Sequence, residues 1–322
     1  MAKEVVFVNK DLFSAPEMAE LTIEEIASRE LMVNAFEVPS KELNPFSGGY
    51  LTDEKSNQQF FLCDISGVSM KDDTASMDIP MFTMMISKPD TTRLDWVSKD
   101  GLTFLTSIPS ISGRPTQLDK DLLIYAVSQL TAGLNKGRPD ANNRVVRFKI
   151  YDYLKALGKS IGGSQYEIIG EQLERLSGSR YLTNVKTEST REKKSFGLIE
   201  SYTVLERAGA GDKGVVLAVE ITLSEWMFNS IQERRILTIS PEYFRLKKPT
   251  ERKLYEIVRR WCGEKSSHRV ELEKIHQKMV PNLANKEFRR VIRDIVKAGN
   301  IPDYKLSIVG DKLLMELIKK RD

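Results

Sequence analysis

The stretch NKEFRRVIRDIVKAG, residues 285–299, decides the fold because its two faces have opposite chemistry. Its apolar residues recur at helical spacing and fall on one side, where a core would cover them; these are Phe288, Val291, Ile292, Ile295 and Val296. Five cations fall together on the opposite side, within roughly 100° of the circumference; these are Lys286, Arg289, Arg290, Arg293 and Lys297. We predict an amphipathic helix that has Asn285 as its N-cap and ends before Gly299.

Sorted charge on this helix indicates an anionic partner. A surface helix normally mixes its signs, whereas here Glu287 and Asp294 lie only at the margin of the cationic face. A cationic face without interleaved acids is what a phosphate backbone attracts. The alternative is a solvated basic helix that has no partner, and the sorting alone leaves it open.

The segments around this helix predict a winged helix, which is a helix-turn-helix followed by a β-hairpin wing. TERKLYEIVRRWCG (250–263) and VELEKIHQKM (270–279) have helical spacing, and VPNLAN (280–285) is typical of a turn. After the cationic helix, IPDYKLSIVGDKLLMELI (301–318) predicts a strand and then a terminal helix.

A similar order of elements precedes this unit in the chain. Three helices are predicted in LDKDLLIYAVSQLTAGLNKG (118–137), RFKIYDYLKALG (147–158) and QYEIIGEQLERLSG (165–178). Three alternating runs then predict strands, around YLTNVKT (181–187), FGLIESYTVLE (196–206) and VVLAVEITL (215–223). Two copies of one plan favour an α+β fold class with tandem winged-helix domains.

The chain is expected to divide into three parts. Residues 1–59 form an N-terminal extension, residues 60–236 a first winged-helix domain and residues 237–322 a second. The extension contains an amphipathic helix candidate, LTIEEIASRELMVNAF (21–36), before a polar stretch, so we interpret it as an appendage able to move. Residues 60–112 have the pattern of small strands and loops.

Charge is distributed unevenly, although the net charge of the 322 residues is only +4. Residues 1–60 hold 5 Lys and Arg against 11 Asp and Glu, a balance of −6. Residues 241–322 hold 21 against 12, a balance of +9, and the middle of the chain is nearly neutral. The positive field therefore belongs to the last quarter of the chain, where an anionic partner would be steered.

Several classes of protein are disfavoured by composition. No apolar run approaches the roughly 20 residues of a membrane span, and the N-terminus is interrupted by charge before a signal-peptide core could form. Cys63 and Cys262 are far apart in sequence, which argues against a disulfide framework and for a cytoplasmic chain. With only His268 and His276 besides them, no zinc ligand set is formed, and we expect no metal, no cofactor and no catalytic residue.

Two strings resemble nucleotide-binding motifs and are interpreted otherwise. GAGDKG (209–214) matches G-x-G-x-x-G, but a β-branched strand pattern follows it where a phosphate site needs a helix. We predict a hairpin turn there. Gly158, Lys159 and Ser160 resemble the end of a P-loop, yet Tyr153 occupies the position of its first glycine.

The third helix of the first unit has an acidic outer side, in contrast to the later helix. Glu167, Glu171 and Glu174 would face outward, and three carboxylates would repel a phosphate backbone. We therefore predict protein contact for the first unit and DNA contact for the second. Cations in the predicted wing of the first unit could add phosphate contacts without base readout; these are Arg180, Lys186, Arg191, Lys193 and Lys194.

An ordered set of strings resembles one known family. They are KDDTASMDIPMF (71–82), LDKDLLIYAVSQL (118–130), LERLSGSRYLTNV (173–185), FGLIESY (196–202), VEITLSEWMFN (219–229), LTISPEYFRLKKPTERKLYEIVRR (237–260) and IPDY (301–304). Together they are similar to the RepA-type plasmid replication initiator proteins, over roughly residues 60 to 308.

The resemblance implies a bacterial plasmid protein located in the cytoplasm with plasmid or nucleoid DNA. Such a protein has tandem winged-helix domains, binds repeated sites at an origin, and recruits the host helicase and its loader. The resemblance also implies a dimer formed through the first winged helix that represses its own gene, with the monomer acting at the origin.

Three hypotheses follow for function. The leading one is a DNA-binding initiator without enzymatic activity, the second a transcriptional repressor without an initiation role, and the third a structural adaptor that binds other proteins. For the first, we assign base edges or phosphates to Arg289, Arg290 and Arg293 and the backbone at the helix ends to Asn285, Lys286 and Lys297. Neighbouring phosphates are assigned to Lys247, Lys248 and Arg252.

Overall fold

The computed structural model describes residues 6–9, 18–21, 60–184, 194–207 and 215–318. Near the N-terminus, β1 (Val6–Asn9) and β2 (Met18–Leu21) pair antiparallel, with Val6 opposite Leu21. The helix predicted for 21–36 begins with a residue of β2, and the rest of it lies outside the described residues.

The remaining described elements run from Phe61 to Leu317. The helices are α1 (Thr74–Asp78), α2 (Lys120–Asn135), α3 (Ile150–Ala156), α4 (Gly163–Gly178), α5 (Glu225–Gln232), α6 (Pro249–Trp261), α7 (Leu272–Met279) and α8 (Asn285–Ala298). The strands are β3 (Phe61–Leu62), β4 (Lys71–Asp73), β5 (Leu94–Val97), β6 (Phe104–Ile108), β7 (Val145–Phe148), β8 (Arg180–Thr183), β9 (Lys194–Phe196), β10 (Ile199–Arg207), β11 (Val215–Leu223), β12 (Ile236–Thr238), β13 (Ser267–Glu271), β14 (Tyr304–Val309) and β15 (Lys312–Leu317).

The last part of the chain runs helix, strand, helix, helix, strand, strand, from α6 to β15. β15 lies between β13 and β14 and pairs antiparallel with both. The helix predicted near the C-terminus is wrong, because the residues after Gly310 form β15. Gly310 has φ +60°, which closes a tight hairpin, and the central position in the sheet satisfies the backbone of β15 on both sides.

The earlier part of the chain repeats this order with α2, β7, α3, α4, β10 and β11. Here too the last strand of the unit, β11, lies between its first strand, β7, and its second strand, β10. The sheet order is β10-β11-β7-β3. The strand that follows the first helix in each unit was not predicted. β8 and β9, inserted between α4 and β10, form a separate sheet with β5 and β6.

The described residues from Phe60 onward share one continuous hydrophobic core. α6 lies inside it, and its buried charged residues pair with the earlier unit. The Lys120 ammonium on α2 lies 2.9 Å from Glu256 on α6 and 2.7 Å from Asp72. The Lys253 ammonium on α6 donates to the carbonyls of Ser76, Met77 and Ile79 at 2.9 to 3.0 Å.

Candidate nucleic-acid interface

Helix α8 has the amphipathic arrangement that its sequence predicts. Phe288, Ile292 and Ile295 are buried, and Val291 and Val296 pack partly against the same core. The ring of His276 on α7 stacks on Phe288 with 4.5 Å between centroids, so the two helices are fixed side by side. Gly299 ends α8 with φ +62°, a conformation that favours glycine, as expected.

The N-terminal end of α8 differs from the prediction. Asn285 is the first helical residue, and the N-cap is Ala284, which makes no side-chain capping bond. The Asn285 side chain instead accepts a hydrogen bond from Arg289 Nε at 3.1 Å. The expected N-cap role of Asn285 was therefore wrong, and its amide helps to orient an arginine of the outer face.

The outer face of α8 is open to solvent. Lys286, Arg293 and Lys297 are exposed, and their side chains have no ion pair or hydrogen bond among the residues that the structure describes. No carboxylate oxygen in the described part of the chain lies within 4.0 Å of these three cations. An unpaired, solvated cation is the state from which a phosphate contact forms with the least rearrangement.

Arg289 and Arg290 have partners at the surface. Arg289 Nη1 lies 2.8 Å from Asp311, and this hydrogen bond lowers the pKa of the Asp311 carboxyl. Arg290 pairs with Glu287 at 2.9 Å and with Asp294 at 3.6 Å, with 61% of its side chain exposed. Surface pairs of this kind contribute only about 0 to 1 kcal/mol, so a phosphate can replace the carboxylate.

The three cations assigned to the start of α6 are placed differently from one another. Lys247 and Lys248 are exposed, with Lys248 3.7 Å from Glu251. Arg252 is only 4% exposed, and its guanidinium binds Asp121 at 2.6 Å and the Leu246 carbonyl at 2.7 Å. A guanidinium buried in the core cannot reach a DNA phosphate, so the expectation for Arg252 was wrong.

The β14-β15 hairpin adds residues that were missed in the sequence. Lys305 and Lys312 are exposed on it, and Asp311 in its turn reaches Arg289 on α8. The hairpin therefore lies beside the N-terminal half of the cationic face. The signal was present as a glycine between two apolar runs, but the second run was assigned to a helix.

The first unit has the expected acidic helix at the corresponding position. Glu167, Glu171 and Glu174 on α4 are exposed, while Ile169, Leu173 and Leu176 are buried. Two cations expected on its wing lie instead on the separate sheet of β5, β6, β8 and β9, outside the β10-β11 hairpin: Arg180 on β8 is exposed and donates to the Ser195 carbonyl at 3.4 Å, and Lys194 lies in β9. Lys186, Arg191 and Lys193 lie outside the described residues.

The structure shows what surrounds the two strings that resemble nucleotide-binding motifs. The Lys159 ammonium lies 2.7 Å from the buried Asp121, so it is held by the protein itself. Residues 209–214 lie outside the described residues, but the strands on either side of them pair antiparallel and β11 follows directly.

Both cysteines are free and buried, and burial raises the pKa of Cys63. Within the described part of the chain, no helix has the length and apolar character to cross a membrane.

Comparison with known proteins assigns the chain to a family. Residues 71–306 match the family described as "Replication initiator protein A". The chain belongs to this family of replication initiators. The match includes α1 through α8 and reaches into β14, so it covers the first unit from α2 to β11 and the second unit up to the start of β14.

One relative supports this assignment, and one solved structure is similar in fold. The chain is 30% identical over 260 residues to a protein from Wigglesworthia glossinidia brevipalpis named "Putative replication protein", covering 80% of this chain and 92% of that protein. The crystal structure of domains 2 and 3 of RctB is similar in fold, with a TM-score of 0.55 at 13% identity, covering 76% of this chain and 98% of that one.

Proposed function

We propose that this replication initiator binds repeated duplex sequences at a plasmid origin through α8. The observation that supports this most is the outer face of α8, where Lys286, Arg293 and Lys297 are exposed and unpaired among the described residues. A helix of this charge enters a major groove with its side chains toward base edges and phosphates.

We further propose that the two repeated units are winged helices. Their helix, strand, helix, helix, strand, strand order and the central position of the last strand support this assignment. α8 and α4 then occupy the recognition-helix position, and the β14-β15 and β10-β11 hairpins are the wings. The solved structure of similar fold is itself a two-domain segment, and a division between residues 236 and 237 is part of this proposal.

Residue roles in this proposal follow from exposure. Arg293 is assigned to a base edge or a central phosphate, because nothing in the described chain competes for it. Arg289 and Arg290 contact DNA after exchanging their surface carboxylates for phosphate. Asn285, Lys286 and Lys297 hold the backbone at the ends of α8, and Lys247, Lys248, Lys305 and Lys312 supply further positive charge.

The first unit has a different role in the proposal. The exposed carboxylates on α4 disfavour DNA at the position where α8 has cations. We assign the first unit to contacts with proteins, including a second copy of the chain in a form that represses its own gene and the host helicase and loader. Arg180 and the cations between β8 and β9 would add phosphate contacts only.

Footprinting of the purified full chain on the DNA that flanks its gene tests origin binding. The proposal predicts evenly spaced protected repeats, with protection lost when Lys286, Arg293 and Lys297 are all replaced by Ala. A matched control replaces Lys99, Lys136 and Lys155, which are exposed in the first unit, by Ala. Uniform or absent protection by the wild-type chain would contradict sequence-specific binding.

A minimal plasmid separates the initiator from a repressor that lacks an initiation role. The plasmid carries the protected DNA and the gene as its only source of replication. Loss of replication on deleting the gene is expected, whereas continued replication would rule out initiation. An adaptor that binds only proteins would show no salt-dependent retention on DNA at moderate ionic strength.

A further inference from the structure

A groove lies between α4 and the segment of residues 85–90, on the first unit. Its volume is about 560 Å³, and its lining includes Met85, Ile86 and Ile168. These three side chains are 39%, 56% and 42% exposed, so one groove holds several large apolar groups in water. Apolar side chains collected in this way mark a contact surface more often than single exposed ones do.

The floor of the groove has one hydrogen-bond acceptor without a partner among the described residues. Gln172 is only 4% exposed, and its side-chain oxygen Oε1 accepts no hydrogen bond from the described chain. The other buried polar groups of the floor satisfy one another. Arg114 pairs with Asp90 at 2.5 Å, and Arg175 pairs with Asp119 at 2.8 Å. The Gln172 oxygen exposes less than 1 Å² to solvent, so the groove presents its apolar side chains and its rim charges to a ligand.

The rim of the groove on the α4 side is acidic. Glu171 and Glu174 line the groove and Glu167 lies one turn earlier on α4, and all three are exposed over about two turns, a length of about 10 Å. Glu171 lies 3.4 Å from Arg175, and Glu174 accepts a hydrogen bond from the Ser112 hydroxyl at 2.9 Å. Lys88 is the cation on the opposite rim. A phosphate backbone would be repelled by the three carboxylates, whereas Lys or Arg side chains would be attracted.

We propose that this groove docks a segment of another protein that carries apolar side chains flanked by Lys or Arg. The apolar side chains lie against Met85, Ile86 and Ile168, and the flanking cations face the carboxylates of α4. The proposal does not depend on DNA binding by α8, because none of its residues belongs to the cationic face. It supplies a surface and a chemical class for the protein contacts of the first unit.

A defined peptide tests the groove in the full-length chain. The probe is a fluorescein-labelled 14-residue helical peptide with Leu at i, i+4 spacing and Arg on the flanks, and its matched control has Glu in place of Arg. We expect only the Arg peptide to bind, with protection from hydrogen exchange confined to α4 and residues 85–90. Protection elsewhere, or equal binding of the Glu peptide, would overturn the proposal.

Three variants localise the contact further. Ile168→Asp and the double variant Glu167→Lys with Glu171→Lys are each expected to weaken peptide binding by about tenfold or more, which is about 1.4 kcal/mol. Glu225→Lys, an exposed carboxylate on α5, is the control and is expected to stay within about twofold. Thermal melting of each variant checks that it is folded, and unchanged binding by folded Ile168→Asp would exclude the groove.

Sedimentation of the same samples tests whether a second copy of this chain, and not another protein, occupies the groove. If the wild-type chain is a dimer that Ile168→Asp converts to a monomer, a second copy fills the groove and the proposal is overturned. A sedimentation coefficient that Ile168→Asp does not change is the expected result. DNA binding that the α8 variants retain in full would contradict the proposed function but leave the peptide result intact.

Discussion

Arg290 and Arg293 lie on the same face of α8 but in different electrostatic settings. Arg293 has no side-chain partner among the described residues, whereas Arg290 is shared between Glu287 and Asp294. The spacing of the residues predicted the face correctly, because helical periodicity fixes which side a residue occupies. The pairing within the face depends on rotamers, which sequence spacing does not determine.

Replacing either arginine by Ala should weaken binding to the footprinted duplex. If the arginine reads a base edge, the loss is about 1 to 3 kcal/mol and specificity relaxes at one position. If it holds a phosphate, the slope of log affinity against log salt flattens by about one unit. Fluorescence anisotropy over a salt series measures both quantities, and a variant unchanged in both would not belong to the interface. Arg93→Ala is the control, because Arg93 lies in the first unit, pairs with Asp95 and has 61% of its side chain exposed, like Arg290.

Arg252 shows the limit of sequence reasoning at the scale of one residue. Charged residues on an amphipathic helix are normally solvated, and that expectation placed Arg252 on the DNA-binding surface. α6 is instead covered by both units, so Arg252, Lys253 and Glu256 are buried in pairs. Only tertiary contacts reveal that a polar face is enclosed.

Arg252→Ala should therefore lower the free energy of unfolding by about 3 kcal/mol, because it leaves the buried Asp121 with Lys159 as its remaining partner. Lys247→Ala, an exposed neighbour, should change it by less than about 0.5 kcal/mol. Urea denaturation measures both. An Arg252→Ala variant that is as stable as the wild type but binds DNA more weakly would contradict the buried role and support a role at the DNA-binding surface.

Elements with strong periodicity were predicted well, and those decided by pairing were not. α8 combines a clear apolar stripe with a glycine at its end, and both were confirmed. β15 contains Lys, Leu, Met and Glu, which favour helices, yet it is the central strand of its sheet. β13 was missed because its five residues, SHRVE, show little alternation of apolar and polar residues. Hydrogen bonding to β15 on one side, which the sequence does not display, makes it a strand.

Two glycines should respond to Ala with opposite signs. Gly299 ends α8 at φ +62°, where a side chain is strained, and Gly170 lies inside α4 without a positive φ. An added Cβ meets no atom within 4 Å at either site, so backbone conformation alone decides the outcome. Gly299→Ala should destabilise by about 1 kcal/mol, and Gly170→Ala should stabilise by about 0.5 to 1 kcal/mol. Thermal and urea unfolding would contradict this if both changes had the same sign.

At the scale of the whole molecule, the two units behave as parts of one core. α6 belongs by sequence to the second unit, but its buried charges are satisfied by α2, by Asp72 and by carbonyls of α1 and Ile79. The repeat was visible in the sequence as two similar orders of elements. The network of buried charged residues between the two units was not visible, because the sequence does not show how far apart charged residues on separate segments lie.

Lys253 gives this network a pH dependence. Burial lowers the pKa of Lys253 to about 8 from 10.5. Between these values the unfolded chain binds more protons than the folded chain, so this lysine makes stability rise with pH from about 8 to about 10.5. We expect the unfolding free energy of the wild type minus that of Lys253→Met to increase over pH 8 to 10. A constant difference would show that Lys253 titrates normally when folded, and a falling difference would show that folding raises its pKa.

We propose that the outer face of α8 holds duplex DNA through cations that are unpaired among the described residues. The most direct measurement is the salt dependence of binding of the full chain to its footprinted duplex, compared with the variant in which Lys286, Arg293 and Lys297 are all Ala. Each lost phosphate contact removes about 0.9 from the slope, so we predict a slope flatter by about 2 to 3 units and much weaker binding at low salt. A triple variant that stays folded and keeps the wild-type slope and affinity would contradict the claim.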